Sequence, residues 1–414
     1  MVKLKNITIC ALTLLCLAGG VPCYAQTLDE AREALARYDA DSATDILDAL
    51  MEASQARGKK KKPLPEGYDS VKEQLQRLSA ALERVEIIEV IDSVELDKAD
   101  FYLHIPLSAS AGRFMAPSAL PAGSNAADSS AVYVTEDGSS TIYAAKDASG
   151  RLRLMETYPL SDGTFAPSQP LEGELGDGDL NWAWLSPDGI TLYYSARGGD
   201  DNLGGYDIYM TRREDGRFLL PQSLGMPYNS AANDYLYIID EVQGLGWWAT
   251  DRHSTPGKVT LYTFIPTELR RNYPPDTPTL GSLALMSNYK ATLAPGKDYS
   301  QPLTTLAQAR AAMDTGARVH GSGRWALEVP GVGIITSLSS FRSPQARELM
   351  AELLDSEADF ETRDAHLARL RRAYGRGKHD VADEILQAEQ EREEDRQALL
   401  RLRNDVIRAE ASAH

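Results

Sequence analysis

"WLSPDGITLYYSARGGDDNLGGYDIYMTRREDGRF", residues 184–218, decides how the middle of this chain is to be read. Pro187 presets the backbone angle for a turn, Asp188 can bond its own backbone, and Gly189 tolerates positive φ. The runs "TLYYSAR" and "YDIYMTRRE" on either side of the Gly- and Asp-rich loop are β-branched and aromatic, the composition of strands. The stretch therefore predicts strand, turn, strand, loop, strand.

Its neighbours carry the same punctuation. "DGTFAPSQPL" at 162–171 matches "DGRFLLPQSL" at 215–224, with Asp, Gly, Phe, Gln and Leu in register. "EDGSSTIYAAKD" from Glu136 corresponds to "PDGITLYYSARG" from Pro187, which places Gly138 opposite Gly189. "VQGLGWWATDRH" from Val242 keeps the turn glycine, Gly244, and the paired aromatics. Each copy closes with a strand: "RLRLMETYPL" from Arg151, "YDIYMTRRE" from Tyr206 and "KVTLYTFIP" from Lys258. A spacing of roughly 50 residues with several short strands per copy is the pattern of β-propeller blades.

The residues that carry a family resemblance are Ser186, Pro187, Asp188 and Gly189 at the turn, Leu192 to Ser195 in the next strand, and Gly205, Asp207, Ile208 and Tyr209 in the last. In these positions the stretch resembles the WD40-like β-propeller repeat of the Pro-Asp type, best known from the periplasmic Tol system. Copies one and three depart from it, with Thr135-Glu136-Asp137-Gly138 and with Gln243 in place of the Asp. The resemblance implies a propeller-like domain in a protein of the Gram-negative cell envelope. Some such proteins add helical repeats and an outer-membrane-protein-A-like peptidoglycan-binding domain, in whose place this chain offers a helical hairpin.

The start of the chain agrees with export. Lys3 and Lys5 precede an apolar run from Ile7 to Ala18, and small residues lead to Ala25, the pattern of a signal peptide cleaved after Ala25. All three cysteines, Cys10, Cys16 and Cys23, lie in that segment. The mature chain thus has no disulfide, zinc-thiolate site or thiol nucleophile. A formal charge of −17 argues against a nucleic-acid partner, whose phosphates demand cationic surface. The expected location is the periplasm or cell envelope, without an integral membrane segment in the mature chain.

Outside the strand region the apolar spacing is helical. Residues 26–88 predict a tetratricopeptide-like (TPR-like) hairpin and a third helix, with the lysines of "RGKKKKPLPEG" in a solvated loop. Residues 89–270 hold the sheets. Residues 271–342 form a linker with short helices and a hairpin turned at Pro330 to Gly333. In 343–414, Ser343 and Pro344 open a long helix and "GRGK" breaks it, which predicts an antiparallel helical hairpin or coiled coil. The fold class is mixed: a propeller-like domain of three blades between helical ends. "ADFYLHIPL" and "RWALEVPGVGIITSL" would add a fourth blade by pairing the beginning and end of the strand region.

No catalytic pattern emerges. The six histidines form no HxH or HExxH motif, and His253 beside Ser254 lacks a G-x-S-x-G elbow. The expectation is a protein that is not an enzyme and takes no cofactor or metal; a propeller-based hydrolase using His253 with Ser186 or Ser254 is the second alternative. Asp200, Asp201, Asn202 and Asp207, like Asp177, Asp179 and Asn181, offer oxygen ligands but not the EF-hand spacing, so they read as turn residues. Trp182 and Trp247 are the aromatics to suspect of stacking on a sugar or peptide. The leading expectation is a scaffold for envelope proteins, with binding candidates Trp182, Trp247, Asp200, Asp201, Asn202 and His253; the first alternative is a glycan- or peptidoglycan-binding protein.

Overall fold

The computed structural model describes residues 27–56, 62–120, 125–136, 138–160, 165–199, 202–267, 269–314, 327–335, 337–375 and 378–413. The expected signal peptide, Lys59 to Lys61, Asp137, Asp200 and Asp201 lie outside the described residues. The chain divides into two compact units, one up to Ala80 and one from Ala81.

The first unit is helical. Helix α1 (Leu28–Ala36) starts with a reciprocal cap: the Thr27 hydroxyl accepts from the Glu30 amide, and the Glu30 carboxylate accepts from the Thr27 amide. Helix α2 (Ala40–Gln55) is capped by Asp39, which accepts from the Ser42 amide. Helix α3 (Tyr68–Leu82) turns Tyr68, Val71, Leu75 and Leu78 inward, and the Tyr68 hydroxyl donates to the Leu47 carbonyl. Small residues on the buried stripe, Ala31, Ala34 and Ala43, let α1 and α2 pack closely.

The second unit begins with strand β1 (Glu89–Asp97) and continues with three antiparallel sheets. Sheet I runs in the order β2 (Arg113–Met115), β3 (Val132–Val134), β4 (Thr141–Lys146), β5 (Leu152–Thr157) and β6 (Gln169–Pro170). Sheet II holds β7 (Asp179–Leu185), β8 (Thr191–Arg197), β9 (Tyr206–Glu214) and β10 (Arg217–Phe218), with β11 (Gln222–Ser223) also paired to β9. Sheet III holds β12 (Asp234–Asp240), β13 (Leu245–Thr250) and β14 (Lys258–Ile265), and β1 completes it by pairing with β14 from Glu89↔Ile265 to Asp97↔Lys258. The three closing strands lie where the sequence predicts them.

The expected pairing of beginning with end occurs, but through other residues. "ADFYLHIPL" is not a strand: Phe101–His104 form one turn of 3-10 helix, and Phe101, Tyr102 and Ile105 are buried together at a spacing that no two-residue alternation fits. "RWALEVPGVGIITSL" contributes β15 (Leu327–Val329) and β16 (Gly333–Ile335), which pair with each other and not with the sheets. The strand that joins first to last is β1.

The three sheets share one core. Tyr133 of β3, Leu180, Trp182 and Trp184 of β7, and Tyr235, Leu236 and Ile238 of β12 meet around Phe101, Tyr102 and Ile105. The chain from Lys98 to Gly112 crosses this core from end to end. Lys98 Nζ lies 3.2 Å from the Asp251 carboxylate at one end, and the Ser108 amide donates to Asp240 over 2.7 Å at the other. Trp184 Nε1 and the Tyr133 hydroxyl both donate to the Ala111 carbonyl. Both faces of sheet III are covered, so Trp247 packs into the shared core while Trp248 packs oppositely with Tyr228, Tyr262 and Phe264.

Helices α4 (Leu280–Ala284) and α5 (Ser300–Asp314) precede β15, and α6 (Pro344–Gly375) and α7 (Ala382–Ala411) form the expected antiparallel hairpin. Ser343 caps α6, its hydroxyl accepting from the Ala346 amide, with Pro344 in the first turn. Glu410, fully buried near the end of α7, accepts from the Arg342 and Ser343 amides and ties the two ends of the hairpin together. Its core of Leu327, Val329, Ile335, Phe341, Met350, Leu353 and Val406 is separate from that of the sheets. Among the described residues no helix is long and apolar enough to cross a membrane.

Candidate functional site

In sheets II and III the strands end alternately in tight turns, between β7 and β8 and between β12 and β13, and in longer loops, between β8 and β9 and between β13 and β14, which gives the sheets a turn end and a loop end. At the turn end the Pro-Asp-Gly motif is architecture. Asp188 Oδ1 accepts from the Ile190 and Thr191 amides, both over 2.8 Å, and Oδ2 accepts from the Thr191 hydroxyl. The Ser186 amide donates to the Thr191 carbonyl, and the Gly189 amide, at φ +67°, to that of Ser186. The first copy repeats this pattern without the Pro: Thr135 N–H to Ser140 O, Gly138 N–H to Thr135 O, and φ +71° at Gly138. In the third, Asp240 and Leu245 are the last pair, so Gly244 falls one place later in its loop.

The loop end carries polar chemistry. Asn202 is buried and donates to the Gly205 carbonyl over 3.1 Å, which makes it a brace of its own loop. Gly205 lies against Asn233 and donates its amide to the Ala232 carbonyl. The Asn233 side-chain oxygen accepts from the Tyr206 amide, while its side-chain nitrogen donates to Asp251. Asp251 also accepts from the Tyr235 hydroxyl and from Lys98. Burial works against its charge, but these bonds hold its carboxyl below the ordinary value.

Beneath this layer Trp182 meets Tyr206 and Tyr235 edge-on, with ring centroids 4.9 and 4.7 Å away. Arg197 lies over Tyr206 and Lys98 over Tyr235, at 4.6 and 4.7 Å. Trp182 has φ +46° at a bulge in β7, where its amide donates to the Asn181 side-chain oxygen over 2.8 Å. A sugar platform needs an open ring face. Trp182 and Trp247 are both buried, at 7% and 0% exposure, so the expected stacking surface on these rings is corrected to core packing.

Asp207 is buried within β9, where one oxygen accepts from the Leu203 amide over 2.7 Å and the other has no hydrogen-bond partner. Burial, with the Asp234 carboxylate adding to it, pushes its pKa up to about 8, against the pull of the Leu203 amide and Arg252. Asp234 in turn accepts from the Ser230 amide and hydroxyl and from Arg252. Ile208 and Tyr209, the other motif residues of β9, are buried, and Tyr209 stacks near Tyr194.

The remaining candidates are committed elsewhere. His253 is exposed, with Nε2 3.0 Å from the Leu285 carbonyl, and the Ser254 hydroxyl meets that of Thr260. Neither arrangement couples a nucleophile to a base. In the "GDGDLN" loop, Arg153 takes the Gly178 carbonyl and Arg151 that of Asp177, while the Asp179 carboxylate accepts from the Leu152 amide. Guanidinium groups therefore stand where a cation would. That loop borders a cavity of about 460 Å³ lined by Leu154, Leu171, Leu175 and Leu180.

Sequence reasoning missed Lys98, Asn233, Asp251 and Arg252. Their signal is faint, because each is a single polar residue beside a strand end. Comparison with protein-family models, curated proteins and solved structures finds no match to this chain.

Proposed function

We propose that this chain is a non-catalytic, exported cell-envelope protein that binds other proteins through a small β-propeller made of the three sheets. One observation supports this most: three consecutive antiparallel sheets each set a strand, β3, β7 and β12, on a common core, and the strand that precedes them completes the last. In a blade array, completion of the last sheet by the strand that precedes the first would protect an otherwise open edge. The engagement of His253, Ser254 and the acidic loops in structural bonds favours binding over chemistry.

The test uses the full chain in a Gram-negative host, with a photo-crosslinking residue at Arg197 or His253, both exposed at the loop end. The expected outcome is processing near Ala25, recovery with the envelope fraction, and one reproducible protein adduct from the two sites. Retention of the unprocessed chain in the cytosol, or the absence of adducts from both sites, overturns the proposal.

A further inference from the structure

The turn end of the sheets is not bare. Helix α7 lies across it, with Glu393 3.7 Å from Arg213 of β9 and Arg403 3.2 Å from Glu136 in the first turn. Between them Leu400 fills the notch over Gly189, where an added Cβ would stand 2.3 Å from the leucine methyl. Residues 393, 397, 400 and 403 fall on one face of a helix. At the flank, Arg392 and Arg371 lie over the Tyr158 ring at 4.7 and 5.1 Å, and Arg213 also pairs with Glu156.

This contact differs from the rest of the unit. Among the described residues, none of α6 or α7 enters the shared core of the sheets, and the hairpin keeps a core of its own with β15 and β16. What joins the two, among the described residues, is ion pairs, cation–π contacts, hydrogen bonds from Arg371 to the Tyr158 hydroxyl and from Ser110 to Glu328, and one leucine. Polar interfaces of this kind within a chain resemble transient ones and exchange with competitors; because Arg213 and Glu136 are each only 8% exposed, a competitor must bring the matching charges that α7 takes away. Leaving the face would not unfold the hairpin, because Leu399, Leu402 and Val406 point into its own core while Leu400 does not belong to it.

We propose that the turn end is a helix-docking surface closed in cis by α7 and opened by a partner helix of the same pattern: an acidic residue, a leucine seven positions on, and an arginine three further. The notch over Gly189 selects the leucine, Arg213 the acidic residue and Glu136 the arginine. This rests on the interaction-protein proposal above and names a second face, so its failure leaves binding at the loop end untouched.

The test employs the full chain and a labelled peptide spanning residues 387–411. In Leu400→Glu the carboxylate is driven from the Gly189 notch, and hydrogen exchange at residues 186–191 and 393–403 rises at least tenfold while β12 to β14 stay protected. The peptide then binds this variant at least tenfold more tightly than wild type. Adding Gly189→Asn, a residue that accepts positive φ, fills the notch and abolishes peptide binding while the turn persists. Unchanged exchange in Leu400→Glu, equal peptide affinity for variant and wild type, or binding that survives Gly189→Asn would each overturn the proposal.

Discussion

Arg252 donates to Asp234 across 2.7 Å with 3% and 0% of the two side chains in water. The guanidinium is also spent on the Tyr228 and Ala284 carbonyls and the Thr250 hydroxyl, so it clamps the segment before β12 to β13 and α4. Breaking a buried pair from one side leaves an uncompensated charge, which costs about 3–5 kcal/mol. Arg252→Met is expected to lose that much in urea denaturation at pH 7. Adding Asp234→Asn removes the orphaned charge and should recover at least about 1 kcal/mol of it. Equal stability of the single and double variants would speak against the pair as the dominant effect.

Asp207 sets a pH dependence. Its pKa rises from an ordinary 3.8 to about 8 in the folded protein, so the native state holds the proton more tightly than the unfolded chain. Stability from this group is therefore full below about pH 4, falls as pH climbs toward 8, and levels off above. Asp207→Asn keeps an acceptor for the Leu203 amide and removes the titration. The melting temperature of wild type should fall relative to the variant between pH 5 and pH 9, and parallel curves would refute the assignment.

Much of this architecture is written locally. Asp188, Gly189 and Gly138 mark turns through their own backbone chemistry, and Ser343-Pro344 marks the start of α6 in the same way. Long-range choices are not so written. Nothing near Glu89–Asp97 specifies Lys258–Ile265 as partner, because register across so many residues is set by burial on both faces and not by a turn. The adjacent tryptophans Trp247 and Trp248 show the same limit: strand geometry sends them to opposite faces, but only the packing partners bury both. At the loop end Asp207 was readable as a motif residue and Asn202 as a turn residue. Arg252 and Asp251 were not, since their roles depend on Asp234, Tyr235 and Asn233 from another strand.

Asp188 offers a direct measure of what the turn motif contributes. Its two oxygens take three hydrogen bonds, from the Ile190 and Thr191 amides and the Thr191 hydroxyl. Asp188→Ala leaves these donors to water and should cost about 1–2 kcal/mol. Asp188→Asn retains the oxygen that serves both amides and should cost less than half as much. Equivalent losses in equilibrium unfolding would mean that charge, and not acceptor geometry, holds the turn.

Whether β1 is an integral member of sheet III can be decided at Val90. Its side chain is fully buried in the cluster of Tyr237, Trp248 and Phe264, and its amide donates to the Thr292 hydroxyl over 3.0 Å. Truncation there removes apolar contact deep inside the sheet and leaves a cavity, a loss of about 2 kcal/mol for Val90→Ala. Because Trp248 lies in the same cluster, its fluorescence should report the shift together with far-ultraviolet circular dichroism, in one transition. A strand merely appended to the edge of β14 would behave otherwise. It would release first, shifting the midpoint by less than about 0.5 kcal/mol and separating the two signals, and that result would dismantle the closure on which the propeller proposal depends.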